Sequence, residues 1–222
     1  MLSCRSVHKV YATDRGPVDA VRGVDLEVAA GRYAALIGRS GSGKSSLMAM
    51  VGGLARPTSG TILVDGIDIW SLGDSAMARF RSRRIGYVFQ FQSLLPTLRA
   101  IDNVALPALL DRSRSRGDVY PRALELLREV GLGDHHDAFP SEMSAGEQRR
   151  TVIARALINE PALLLADEPT ADLDEQTERE ILALLTGVNR DRSTTLVLVT
   201  HNLALAGAAE QVVHIADGAV VP

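Results

Sequence analysis

Residues Gly38 to Ser45 read GRSGSGKS, a Gly-x4-Gly-Lys-Ser spacing that points to phosphate chemistry. Glycines at 38, 41 and 43 allow turns that side chains would obstruct, so consecutive main-chain N–H groups from Gly38, Arg39, Ser40, Gly41, Ser42 and Gly43 through Lys44, Ser45 and Ser46 can point at phosphate oxygens. A helix starting there would add its dipole. Lys44 would reach the β- and γ-phosphates, and the Ser45 hydroxyl would ligate Mg²⁺. The alternative is a glycine-rich turn with a solvated lysine. It is disfavoured because the motif lies between the strand-like run RYAALIG and the helical run SSLMAMVGGLA.

Two further sets of side chains belong to the same chemistry. The apolar run in LLLADEPT ends on Asp167 and Glu168, and the carboxyl ends of parallel strands are where ligands sit in α/β sheets. Asp167 would hold Mg²⁺, and Glu168 would polarise a water attacking the γ-phosphate. Taken alone, such a pair is more often turn and N-cap residues, as the following Pro169 would suit, and it carries the functional reading only beside the phosphate loop. His201 follows the strand-like TTLVLVT and is either a structural side chain or a catalytic one. Met143 to Leu157, MSAGEQRRTVIARAL, starts a helix on Ser-Ala-Gly and has the form of a second anion-binding element.

The elements needed to position these groups follow from the hydrophobic pattern. Short apolar runs at PALLLAD, TTLVLVT and QVVHIADG alternate with helical stretches such as Glu175 to Asn189, which predicts a mostly parallel sheet covered by helices. The residues up to about Val28 predict antiparallel strands with turns at Asp14–Pro17 and at Arg22–Gly23. From Leu94 to Pro140 the pattern becomes helical in IDNVALPALL and VYPRALELLREVGL, around the arginine-rich turn containing Arg112, Arg114 and Arg116. The expected organisation is one domain, 1–222. Residues 1–92 and 141–222 form a nucleotide-binding core with an N-terminal β subdomain, and 93–140 form an inserted helical subdomain.

With 222 residues, 46% of them hydrophobic, and a net charge of −3, the chain has a sizeable core and no surface built for nucleic acid. The lone Cys4 forms no internal disulfide, and the N-terminus lacks the apolar core of a signal peptide. No apolar run reaches the roughly 18 residues of a membrane span. The cytosol is the expected compartment.

The order of these motifs resembles the ATP-binding subunit of ABC transporters along nearly the whole chain: phosphate loop, glutamine after a strand in YVFQ, Ser-x-Gly signature, aspartate–glutamate strand, strand-end histidine. The resemblance implies that Tyr11 in HKVYAT stacks on adenine, although as an isolated residue it reads more readily as a core tyrosine. It implies that Gln90, or in second place Gln92, contacts Mg²⁺ and the attacking water. MSAGEQ resembles the family signature Leu-Ser-Gly-Gly-Gln. In the family two copies pair head to tail, so Ser144, Ala145, Gly146 and Glu147 would cap ATP held by the other subunit. Ala145 stands where the family has glycine; if that position needs a positive φ, strain of about 1 kcal/mol or more is expected. Asp174 in ADLD resembles the last acid of the loop crossing the dimer interface.

The resemblance further implies ATP and Mg²⁺ as cofactors, an ATP-dependent homodimer, and an integral membrane permease that holds the chain at the inner face of the cell membrane. The segment Ser93 to Leu110 either packs the helical lobe or forms the groove for that partner. The stretches GGLARPTSG, YVFQFQSLLPTLRAIDNVALP and LLLADEPTADLD look most like the lipoprotein-releasing, macrolide-exporting and cell-division branch. Outside transport, the alternatives are a soluble ABC-type ATPase or an ATP-dependent switch, with a P-loop kinase disfavoured by the signature.

Overall fold

The computed structural model describes residues 1–91, 93–111, 114–202 and 206–221; Gln92 and Arg112, singled out in the sequence, lie outside the described residues. A six-stranded sheet forms the centre. Its strands are β3 (Tyr33–Ile37), β6 (Ile85–Val88), β7 (Leu163–Asp167), β8 (Thr195–Thr200), β9 (Gln211–Ala216) and β10 (Ala219–Val221), in the order β10-β9-β3-β8-β7-β6. All its pairs are parallel except β9 with β10. Both faces of β3, β7 and β8 are buried, which is why these strands read as continuous apolar runs instead of alternating ones.

Alternation survives in a subtler form, because successive side chains serve two separate cores. Tyr33, Ala35, Ile37, Leu164, Ala166, Leu196 and Leu198 face a core shared with α3 (Ala100–Leu109), α4 (Arg116–Glu129), α5 (Ala145–Leu157) and α6 (Glu175–Arg192). Ala34, Leu36, Leu163, Leu165, Val197 and Val199 face the other core. It is shared with α1 (Lys44–Val51), α2 (Asp74–Arg84) and an antiparallel sheet of β2 (Gly16–Val28), β1 (Leu2–Thr13), β4 (Ser59–Val64) and β5 (Ile67–Asp68).

One expected turn is absent. Asp14 and Arg15 do form the hairpin turn, but Arg22 and Gly23 lie inside β2. There the pairing steps from Val7 opposite Val24 to Lys9 opposite Val21, so β2 carries an extra residue as a bulge. Gly23 has φ +66°, and a Cβ there would come within 3.2 Å of the His8 ring. A glycine that signals a turn also serves a bulge, and the flanking β-propensity decided between them. Among the described residues no helix is long and apolar enough to cross a membrane.

Candidate active site

Four adjacent strands of the parallel sheet end at one edge, and each delivers a different group. After β3 the chain enters the glycine loop; β8 ends just before His201, β7 ends in Asp167, and β6 runs into Gln90. The registers Ile37 opposite Thr200, Asp167 opposite Val199 and Val88 opposite Ala166 keep these ends level. The result is a cleft of about 640 Å³ lined by Ser40 to Ser46, Gln90, Glu168 and His201. Val18, Asp19 and Ala20 of β2 close one side. Their contribution carried no sequence signal, since it depends on how the antiparallel sheet stacks against the loop.

The loop is shaped by backbone constraints. Gly43 caps α1 in the left-handed region with φ 100°, and its carbonyl accepts the first helical bond, from Leu47 N at 2.9 Å. A Cβ at Gly43 would sit 2.1 Å from the Ala20 carbonyl oxygen, so both sterics and dihedral demand glycine. Lys44 is buried, and its Nζ donates to the carbonyls of Gly38 and Arg39, each at 2.8 Å. That folds the ammonium back over the loop interior, where a triphosphate would lie. Burial lowers the Lys44 pKa, opposed by the charges of Glu168 and Asp167.

Asp167 is 6% exposed, and burial raises its pKa while the bond from Ser45 opposes this. Ser45 Oγ donates to Asp167 Oδ1 at 3.3 Å. Two hard oxygens thus meet beneath the phosphate cradle, a donor set whose chemistry fits Mg²⁺. Glu168 adopts φ 43°, uncommon for a non-glycine residue. Its N–H donates to Val199 O at 3.0 Å, and its carbonyl accepts from Ala171 N at 3.1 Å, which fixes the turn. The side chain is flanked on both sides: Gln90 Nε2 donates to Oε2 at 3.5 Å, and His201 Nδ1 lies 3.4 Å from the same oxygen.

Tyr11 and the Ser144 cap, which the family resemblance assigns to adenine and to the other subunit's ATP, lie outside the lining of this cleft. Tyr11 is not a lining residue of the cleft; it pairs across the strands with Val18, which is, and the residue is 37% exposed with Lys9 Nζ 4.7 Å from the ring centroid. Tyr11 is therefore at the rim. Ser144 to Glu147 also take no part in lining this cleft. Ser144 caps α5 instead: its hydroxyl accepts from Glu147 N at 3.3 Å and donates to Glu147 Oε2 at 2.8 Å, and Ser144 N donates to the same carboxylate oxygen at 2.8 Å. This reciprocal capping box holds the Glu147 pKa down, with the Ser144 N–H the largest cause. Ser144 and Ala145 face solvent. Ala145 is the first residue of α5 and is not among the residues with positive φ, so the anticipated strain does not arise. Gly146 has a packing role as well, because a Cβ there would meet Thr177 Cγ2 of α6 at 2.8 Å. Asp174 accepts from Gln176 N and Thr177 N as the N-cap of α6.

The described family "ABC transporter" matches residues 21–171 of this sequence. The chain belongs to the ABC transporter family. The lipoprotein-releasing system ATP-binding protein LolD of Geobacter metallireducens is 46% identical over 221 residues, covering all of this chain and 98% of that protein. The macrolide export ATP-binding/permease protein MacB of Rhodopirellula baltica is 45% identical over 99% of this chain, which corresponds to 32% of that longer protein. Among solved structures, the ATP-binding cassette MJ0796, a dimer in a post-hydrolysis state with ADP and Pi, superposes with a TM-score of 0.93 at 35% identity, covering 100% of this chain and 97% of that one. As a member of the family this chain is an ATP-binding, ATP-hydrolysing cassette subunit.

Proposed function

We propose that two copies of this chain form the ATP-driven motor of a membrane complex of the lipoprotein-releasing or macrolide-exporting kind. The observation that carries this reading is an incomplete pairing of sites: the phosphate cradle and Glu168 share one cleft, with Asp167 bonded to Ser45 beneath it, while the Ser144 cap faces solvent outside it. A second copy placed head to tail supplies the missing lid.

In the shared site the loop N–H groups and Lys44 grip the β- and γ-phosphates, and Ser45 and Asp167 hold Mg²⁺. An ion held there would supply positive charge against the phosphate oxygens. Glu168 takes a proton from the water attacking the γ-phosphorus as the bond to the β-phosphate oxygen breaks, giving ADP and phosphate. Gln90 and His201 hold the Glu168 carboxylate on that line. Ser144 and the first N–H groups of α5 bind the γ-phosphate of the partner's ATP, Glu147 fixes Ser144 for the task, and Tyr11 receives the adenine at the rim. Loss of the γ-phosphate removes the ligand both subunits share, so the dimer opens.

The membrane partner would sit on an apolar groove of about 750 Å³ lined by Leu54, Tyr87, Phe89, Leu106, Pro107 and Leu110. This groove adjoins Gln90 and would place the chain at the inner face of the membrane. Glu168→Gln tests the reading: ATP binding should persist, turnover should fall by about 10² to 10⁴, and Mg-ATP should convert the variant to a dimer on size-exclusion chromatography. A monomer under saturating Mg-ATP would sink the shared-site proposal.

A further inference from the structure

Arg149 lies on α5 little more than a turn past Ser144 and is only 7% exposed. Its fork is spent on main-chain carbonyls, not on a carboxylate: Nη1 donates to Phe89 O at 2.6 Å and Nη2 to Gln90 O at 2.9 Å. Burial opposes its charge, and Asp172, on the loop after β7, favours it. Burying a guanidinium is costly unless its donors are satisfied. A planar fork bridging two successive carbonyls also fixes the orientation of the peptide between them, which a single donor cannot do. That peptide carries Gln90, whose side chain reaches Glu168.

Arg155, farther along the same helix, donates from Nη1 to Ser93 O at 2.6 Å and from Nη2 to Ser93 Oγ. One helix therefore grips the segment leaving β6 in two places. The N-terminus of that helix is the Ser144 cap, so cap and hook are parts of one rigid element.

We propose that Arg149 is a positioning residue for ATP hydrolysis: it sets Gln90 against Glu168 in its own cleft and ties that placement to the cap that meets the other subunit's nucleotide. The inference rests on the ATPase reading above and deepens it, since each cap would report its engagement to the cleft of its own chain.

The test compares full-length wild type with Arg149→Met, Arg149→Lys and Arg155→Met. Because misplacement by an ångström costs catalysis far more than binding, Arg149→Met should lower kcat for Mg-ATP by about tenfold or more with KM within about twofold. Arg149→Lys should recover part of the loss, since an ammonium reaches a carbonyl without fixing the plane. Arg155→Met should cost less than Arg149→Met. Hydrogen exchange of the amides from Val88 to Ser93 should quicken by about fivefold or more in Arg149→Met, a readout that needs no turnover. Wild-type kcat in Arg149→Met, an equal loss in Arg155→Met, a loss carried by KM, or unchanged exchange would each overturn the inference. An inactive wild type with quickened exchange in Arg149→Met would remove the ATPase reading while leaving the hook standing. If Arg149→Met does not fold, Arg149→Lys decides: intermediate kcat and exchange support the hook, and wild-type values for both overturn it.

Discussion

At the scale of single residues, Lys44 shows how burial and chemistry meet. Its ammonium is already bonded to two carbonyls of its own loop, so it is pre-positioned and does not have to be captured from solvent when nucleotide arrives. Lys44→Ala removes the charge-assisted bonds to phosphate, each worth roughly 1.5–3 kcal/mol, so ATP affinity should fall by at least about tenfold in equilibrium dialysis. Tight binding by that variant would mean that the loop is misassigned. Lys44, Ser45, Asp167 and Glu168 were legible in the sequence because a phosphate loop must join a strand to a helix and a metal-binding acid must end a strand. Arg149 was not legible. Arginine in a polar helix is ordinarily a solvated residue, and only the packing of α5 under the end of β6 turns it inward.

At the scale of elements, α5 carries the cap, the hook and a tight contact with α6. Ala145 occupies the first helical position with an ordinary dihedral, so Ala145→Gly should cost a few tenths to about 1 kcal/mol through helix propensity. This corresponds to a fall in melting temperature of about 1–4 °C. Gly146→Ala has a different sign of cause. Propensity favours alanine, but the added methyl would meet Thr177 Cγ2 at 2.8 Å, and Thr177 is held in place by its hydroxyl bond to Asp174 Oδ2 at 2.5 Å. The net change should be destabilising, and Gly146→Ala with Thr177→Ser should recover stability because serine keeps the hydroxyl and lacks the methyl. Thermal melts of the single and double variants check this; a more stable Gly146→Ala would show that α6 yields. The strands β3, β7 and β8 and the long helices were evident from their apolar runs. Strand β10 and helix α2 were not: three residues make a weak run, and α2 buries only Met77, so it lacks the stripe by which an amphipathic helix is read.

At the scale of the whole molecule, the head-to-tail dimer is what the family resemblance of the motifs implies, and the fold adds where its two halves stand within one chain. The sequence supplied both motifs; the fold leaves the Ser144 cap solvent-exposed at the start of α5, outside the cleft that the cradle lines. The same topology explains the two cores. A central sheet whose alternate side chains serve opposite layers couples the antiparallel subdomain to the helices, and the cleft stands at the edge both layers share.

The groove beside β6 has a consequence for the purified protein. Phe91 is 79% exposed and Leu110, which lines the groove, 74%, while a net charge of −3 offers little electrostatic repulsion between molecules. Without its companion the chain should clump at high concentration regardless of nucleotide. Phe91→Ser with Leu110→Ser should lower light scattering in concentrated, nucleotide-free samples; equal turbidity would mean that some other surface drives precipitation. Shielding this patch from chance encounters would then be one reason for such a subunit to be produced alongside the protein that covers it.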